Sequence, residues 1–242
     1  QADSILIYSN GCSALIDVGT EDSAADILED LDSARIKRID ALIVTHLHTD
    51  HAGGLPELAR LRKIDNLIIP ELNDDAEAAS LVKTAKQTVT ANGGNAYTAV
   101  QGMNFKIGEF TVTVLAYYED TQDENNKSVI VMAELAGIKF LFTGDAEAKA
   151  EQALIDEGLN IDCDVLKVGH HGSSSSSTKE FLNKTTPEYA AISVGKNNIY
   201  SHPSESVVSA LENCGAQVLR TDTDGDITFY VENGKIKTET EK

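Results

Sequence analysis

Six histidines occur in this 242-residue chain. Three lie within Thr45-His46-Leu47-His48-Thr49-Asp50-His51, two are the adjacent pair His170-His171, and the last is His202. The first cluster follows the apolar run Ala41–Val44, which has the length and composition of a buried strand. A strand ending there delivers its next residues to a sheet edge, where a rigid scaffold can hold a site. His46 and His48 are two apart, so in an extended segment they share a face and can grip one ion. Asp50 and His51 follow where the chain turns and would face a second, neighbouring ion. Gly53-Gly54 let the backbone pass close to the metals. Imidazole and carboxylate without thiolate suit Zn²⁺, Mn²⁺ or Fe²⁺. Two such divalent ions roughly 3.5–4 Å apart would serve hydrolysis, with Zn²⁺ the first expectation.

The elements that must position these residues can be read from periodicity. Ile5–Tyr8 and Ala14–Val18 read as strands joined by an Asn10-Gly11 hairpin turn. Ala24, Ile27, Leu28 and Leu31 carry a helical period over Asp22–Leu31. After the strand Ala41–Val44 come a helix over Leu55–Leu61 with Pro56 in its first turn, a strand at Leu67–Ile69, and a helix over Ala76–Ala91. The middle is β-rich: Phe110–Leu115, Val129–Leu135 and Lys139–Thr143, the last two paired across Gly137. Helices at Ala148–Glu157, Thr178–Lys184 and Ser204–Asn213 then alternate with strands at Val165–Val168, Tyr189–Val194, Val218–Thr221 and Ile227–Val231. Mixed strands in both halves with interspersed helices predict an α/β fold of two sheets face to face, with helices outside. No stretch reads as a hinge, so residues 1–242 are expected to form a single domain.

On these residues the chain resembles the metallo-β-lactamase superfamily. His46, His48, Asp50 and His51 match its H-x-H-x-D-H signature. Leu15-Ile16-Asp17-Val18-Gly19 looks like its opening "LIDxG" element, and Phe140-Leu141-Phe142-Thr143-Gly144-Asp145 like its "FTGD" strand end. The resemblance implies the family's αββα sandwich, with Asp145 bridging both metals. It also implies a last metal-binding histidine after the strand that ends in Val168-Gly169-His170-His171-Gly172-Ser173. Neighbours on a strand point apart. One of the pair is therefore expected to be the ligand, with His170 favoured, and the other, His171, a substrate contact. His202, ahead of Pro203, is either a turn residue at a helix start or a phosphate contact or proton donor. Asp50, His171 and His202 are thus the candidate catalytic residues.

The double histidine, Ser193–Asn198, His202-Pro203-Ser204 and Gln1-Ala2-Asp3 are similar to a narrower branch. That branch holds the soluble domain of ComEC-type competence proteins, related secreted hydrolases and phosphorylcholine esterases. It implies a "GQGD" turn at Gln1–Asp3, a strand upstream of Gln1, and an extracellular or cell-surface location. One departure is the segment Asp123–Ser128, which lacks the histidine the superfamily usually carries there. Asn125 or a water would complete the first ion's shell.

Composition narrows the function. Twenty Lys and Arg stand against 39 Asp and Glu, a net charge of −19. Such a surface repels phosphate backbones and disfavours tight binding of long nucleic acid. Bound cations can invert the field locally, so a phosphodiester substrate is compatible. No apolar run has the length of a membrane span. Cys12, Cys163 and Cys214 read as small apolar residues rather than a disulfide framework. The chain starts at Gln1 without a Met or a signal peptide, which suggests a processed or truncated form. The leading expectation is a metal-dependent hydrolase of small or cell-envelope phosphodiesters, with no partner protein. The alternatives are a nuclease-like domain of a DNA-uptake protein and a non-catalytic metal-binding accessory domain.

Overall fold

Side-chain alternation along short apolar strands decides which layer each residue enters. In the computed structural model, which describes residues 2–71, 76–118 and 123–241, this alternation builds two sheets. The first runs in the order Ile5–Ser9, Cys12–Ile16, Ala41–Ile43, Asn66–Ile69, Asn95–Thr98. Its opening pair is the antiparallel hairpin expected at Asn10-Gly11, and the remaining pairings are parallel. Asn10 and Gly11 have φ of 51° and 80°, as a two-residue primed turn requires.

Leu15, Leu42 and Leu67 pack against helices Ser23–Ser33, Leu55–Leu61 and Ala76–Ala91. Their neighbours Ile16, Ile43 and Ile68 enter the layer between the sheets. The second sheet runs Gln217–Arg220, Tyr189–Ile192, Val165–Lys167, Ile138–Phe142, Ile130–Leu135, Phe110–Ala116, Asn104–Ile107. Its first four strands are parallel and the others antiparallel. Leu141 and Leu166 meet helices Ala148–Asp156, Lys179–Thr185 and Glu205–Asn213, while Phe140, Phe142 and Val165 face the first sheet. The result is the αββα sandwich, with one apolar layer between the sheets and one beneath the helices on each side.

Several elements differ from the sequence expectation. Asn95–Thr98, Asn104–Ile107 and Lys235–Thr240 are strands that periodicity did not mark. They are short or largely polar because each has a solvent-facing side, so hydrogen bonding to a neighbour forms them rather than burial. The segment after Val44 is not all loop: Thr49–Ala52 forms one helical turn. Lys167 keeps the two-residue alternation of Val165, so its side chain enters the inter-sheet layer, where it is buried. Among the described residues no helix is long and apolar enough to cross a membrane. The three cysteines are free, as expected.

The parallel strands of both sheets end in the segments that carry the histidines and carboxylates: Ile16 before Asp17, Ile43 before Thr45-His46, Phe142 before Asp145, and Lys167 before His170-His171. Gly144 makes the turn into Asp145 with φ of 54°, and a Cβ there would lie 2.8 Å from Thr45 Oγ1 and 2.9 Å from Ser128 Oγ. Gly137 has φ of 86° with nothing within 4 Å of the same position. Gly137→Ala should therefore cost only the left-handed strain of ~1–2 kcal/mol. Gly144→Ala should cost that strain plus overpacking, ~1–3 kcal/mol more. Thermal denaturation of the two variants should separate their midpoints by several degrees, with Gly144→Ala lower. Equal midpoints would contradict the close approach of the two sheets at Gly144.

Candidate metal centre

Asp17 leaves the second strand with φ of 60° and is 1% exposed. Its Oδ1 accepts from the Thr45 backbone N–H at 2.7 Å, and its Oδ2 accepts from Thr45 Oγ1 at 2.7 Å. Oδ2 also lies 2.8 Å from His51 Nδ1. This carboxylate thereby ties the first strand loop to the histidine motif and holds a proton on His51 Nδ1. His51 Nε2 is left directed inward, 3.2 Å from Asp145 Oδ1. Thr45 Oγ1 is 3.2 Å from His46 Nδ1, which directs His46 Nε2 the same way. His48 Nδ1 lies 3.1 Å from that His46 Nε2, so the H-x-H pair aims two ring nitrogens at one region, as its spacing predicts.

The second sheet supplies the other half. Asp145 is 2% exposed, and its backbone N–H donates to Ser128 Oγ at 3.0 Å. Its Oδ2 is 3.9 Å from His46 Nε2, 3.6 Å from His171 Nε2 and 3.8 Å from His170 Nε2. His171 Nε2 is 3.4 Å from Asp50 Oδ2. Among the described residues three groups of possible ligand atoms include His51: His46, His51 and Asp145; Asp50, His51 and His171; and Asp3, Asp17 and His51; a fourth joins Asp3, Asp145 and His171.

The adjacent histidines divide differently from expectation. His171, not His170, groups with Asp50 and His51. The reason is backbone geometry: the pair does not continue the strand, and both residues take left-handed φ, 47° and 52°. His171 is 1% exposed, and its Nδ1 donates to the Ser193 carbonyl at 2.9 Å, which frees Nε2. His170 remains at the cavity wall, where Glu147 Oε1 holds its Nδ1 at 3.0 Å and Ser175 Oγ donates to the same carboxylate at 2.7 Å. His202 lines that cavity too, its ring 5.6 Å from that of His170. The cavity encloses about 420 Å³ and opens onto Asp50, Asp145 and both histidines of the pair.

Electrostatics agree with a cation-binding role. Burial pushes the Asp145 pKa up, but His51, His171 and His46 outweigh it and hold the carboxyl well below its usual range. Burial lowers the His171 pKa, yet Asp3, Asp50 and Asp145 bring it up to about 9. His51 is likewise raised, against burial, by Asp145 and Asp17. Burial and the neighbouring His51 push His46 down. The buried carboxylates thus raise His51 and His171, the same negative potential that a divalent cation would meet there. His51 Nε2, His171 Nε2, Asp145 Oδ1 and Asn125 Oδ1 are buried and form no hydrogen bond, which fits metal ligation.

Sequence reading missed the supporting roles of Asp3, Lys167 and Glu147. Lys167 Nζ pairs with Asp3 Oδ2 at 2.7 Å, and Asp3 Oδ1 lies 3.5 Å from His171 Nδ1. The Asp3 N–H donates to the Asp50 carbonyl at 3.1 Å, and its own carbonyl accepts from Gly19 N–H at 2.8 Å. The available signal was a lysine at an inward position of a buried strand. Of the "GQGD" match, Gln1 lies outside the described residues.

The metallo-beta-lactamase superfamily profile matches residues 1–196, and the chain belongs to that superfamily. Among curated proteins it is 35% identical over 200 residues to "ComE operon protein 3" of Bacillus subtilis, covering 82% of the chain and 25% of that protein. It is 30% identical over 240 residues to "Competence protein ComA" of Neisseria gonorrhoeae, covering 98% of the chain and 32% of that protein. The chain thus spans a quarter to a third of the length of these relatives. The metallo-beta-lactamase fold protein YhfI from Bacillus subtilis shares the fold at a TM-score of 0.61 and 12% identity, covering 98% of this chain and 91% of that one.

Because Asp17 orients His51 and Thr45 together, Asp17→Asn should weaken metal binding by ~10–100-fold, the usual effect of losing a carboxylate behind a ligating histidine. Competition with a chromogenic chelator, with circular dichroism confirming the fold, reads this directly. Unchanged affinity would remove Asp17 from the support of the centre.

Proposed function

We propose that the chain is a metal-dependent hydrolase of phosphodiesters that works with two divalent ions. The observation that carries this reading is the convergence of His46, Asp50, His51, Asp145 and His171 in overlapping groups of possible ligand atoms beside a cavity of about 420 Å³. His46, His48 and Asp145 would hold one ion, with the unpaired Asn125 Oδ1 in place of the histidine that segment lacks. Asp50, His51 and His171 would hold the other, with Asp145 shared. The donor set of imidazole nitrogens and carboxylate oxygens suits Zn²⁺, with Mn²⁺ or Fe²⁺ as alternatives. When bound, such ions lower the pKa of water and neutralise charge on the attacked phosphorus.

The chain's own residues supply the rest. His170, fixed by Glu147 and Ser175, faces the cavity as a contact for a phosphate oxygen. His202 stands beside it, placed to protonate a leaving group. Both sheets contribute ligands, so residues 1–242 act as one unit. The similarity to competence proteins favours a second reading, a nuclease-like domain of a DNA-uptake protein at the cell surface. The charge of −19 weighs toward small or cell-envelope phosphodiesters within this class.

Elemental analysis of apo protein reloaded with Zn²⁺ or Mn²⁺ should give close to two ions per chain, with hydrolysis of bis-p-nitrophenyl phosphate restored. Saturation at one ion without turnover would favour a non-catalytic accessory domain instead. Asp145→Ala should abolish both metal retention and activity. His202→Ala should retain the metal and lose ~10²–10⁴-fold in rate. Equal residual activity in the two variants would contradict these roles.

Approach of a polyanion to this acidic surface is opposed over a Debye length of about 8 Å at physiological salt. A small phosphodiester should therefore show the higher kcat/KM, and any cleavage of single-stranded DNA should rise with moderate salt. Strong DNA cleavage that falls steeply with salt would point to a basic track and restore the nuclease reading.

A further inference from the structure

Among the described residues the lining of the cavity beside the metal centre holds no lysine or arginine, and its polar side chains lie at the metal-centre end. The ester groups of a phosphodiester bound there would meet the apolar part of the wall. That wall includes Leu47, Ala78 and Leu81, and on the loop before Pro203 it includes Tyr200. Tyr200 is 64% exposed at the mouth of the site, and its chain neighbour Ile199 is 88% exposed.

Their exposure is held by structure. Asn198 Nδ2 donates to the Gly195 carbonyl at 3.1 Å and to the His202 carbonyl at 2.7 Å, while its Oδ1 accepts from His202 N–H at 3.0 Å. The Tyr200 ring lies 5.8 Å from the His202 ring at 25°, a near-parallel stack that leaves its other face toward solvent.

We propose that Tyr200 is a specificity-determining residue, a platform on which the flat ring of a nucleobase stacks while its phosphodiester reaches the metal centre. The inference rests on the phosphodiesterase reading above and names its substrate class: nucleoside phosphodiesters. A flat ring fits better than a quaternary ammonium group, because a cation cage uses several aromatic rings. Tyr200 is the one Phe, Tyr or Trp in the described lining. Stacking also tolerates any base, since every base has a π face.

The test compares thymidine 5′-(p-nitrophenyl) phosphate with methyl p-nitrophenyl phosphate on metal-reloaded protein. In Tyr200→Ala the ratio of kcat/KM for the thymidine ester over the methyl ester should fall about tenfold, mainly through KM. In Tyr200→Phe the ratio should be kept. A ratio unchanged by Tyr200→Ala overturns the platform. Dithymidine monophosphate run beside a 20-residue oligothymidylate separates the two sources of such a base. Dependence on Tyr200 with either supports the inference, and with neither overturns it. If metal-loaded wild-type protein hydrolyses no phosphodiester, the parent reading fails, and calorimetry with thymidine 5′-monophosphate then decides the platform. A Kd weakened about tenfold in Tyr200→Ala supports it, and an equal Kd overturns it.

Discussion

Three carboxylates, Asp3, Asp17 and Asp145, are buried within one small region at 1–2% exposure, and the arrangement around them follows from the need to neutralise them. Removing a carboxylate from water costs several kcal/mol even after relaxation, so each must find positive charge or donors. Asp17 is satisfied by the Thr45 backbone, the Thr45 hydroxyl and His51. Asp3 is matched by the ammonium of Lys167. Asp145 has no such fixed partner: its oxygens face the inward nitrogens of His46, His51, His170 and His171. Two of the three charges are therefore paired within the protein, and the third faces histidine rings.

The sandwich makes this concentration of charge possible. Parallel strands from opposed sheets end on the same side, and the loops that leave them meet above the apolar inter-sheet layer. Gly144 permits a close approach at the site, since its missing side chain lets Thr45 and Ser128 come in beside Asp145. Lys167 uses the same alternation that buries Val165 to bring an ammonium under the site. A surface of net −19 repels anions at long range. Under the function proposed above, a bound divalent ion would reverse the sign of that field only locally.

The relatives fit this division between frame and site. YhfI keeps the fold at 12% identity, as expected when the frame depends on apolar alternation rather than on particular residues. The competence proteins of Bacillus subtilis and Neisseria gonorrhoeae are far longer than this chain, which matches a quarter to a third of them. The superfamily profile matches residues 1–196, and the loop carrying Tyr200 and His202 follows that range.

Local patterns in the sequence determined the frame and the first half of the site. Short apolar, β-rich runs marked the strands that bury Leu15, Leu42, Leu141 and Leu166, and the H-x-H-x-D-H spacing after one of them singled out His46, His48, Asp50 and His51 as candidates. Asp145 was marked by the resemblance of Phe140–Asp145 to the family's strand end, since a Thr-Gly-Asp turn is by itself a weak signal. Edge strands such as Asn104–Ile107 were not legible, since their pairing depends on a neighbour and not on their own pattern. The division of labour between His170 and His171 was decided only in three dimensions. It depends on left-handed φ at both residues, on the Ser193 carbonyl from the next strand and on Glu147 from another loop. The partnership of Lys167 with Asp3, 164 positions apart in sequence, was likewise set by the meeting of strand ends. A one-dimensional pattern records which side of its own element a residue faces, but the partner it meets there is chosen by the packing of elements distant in the chain.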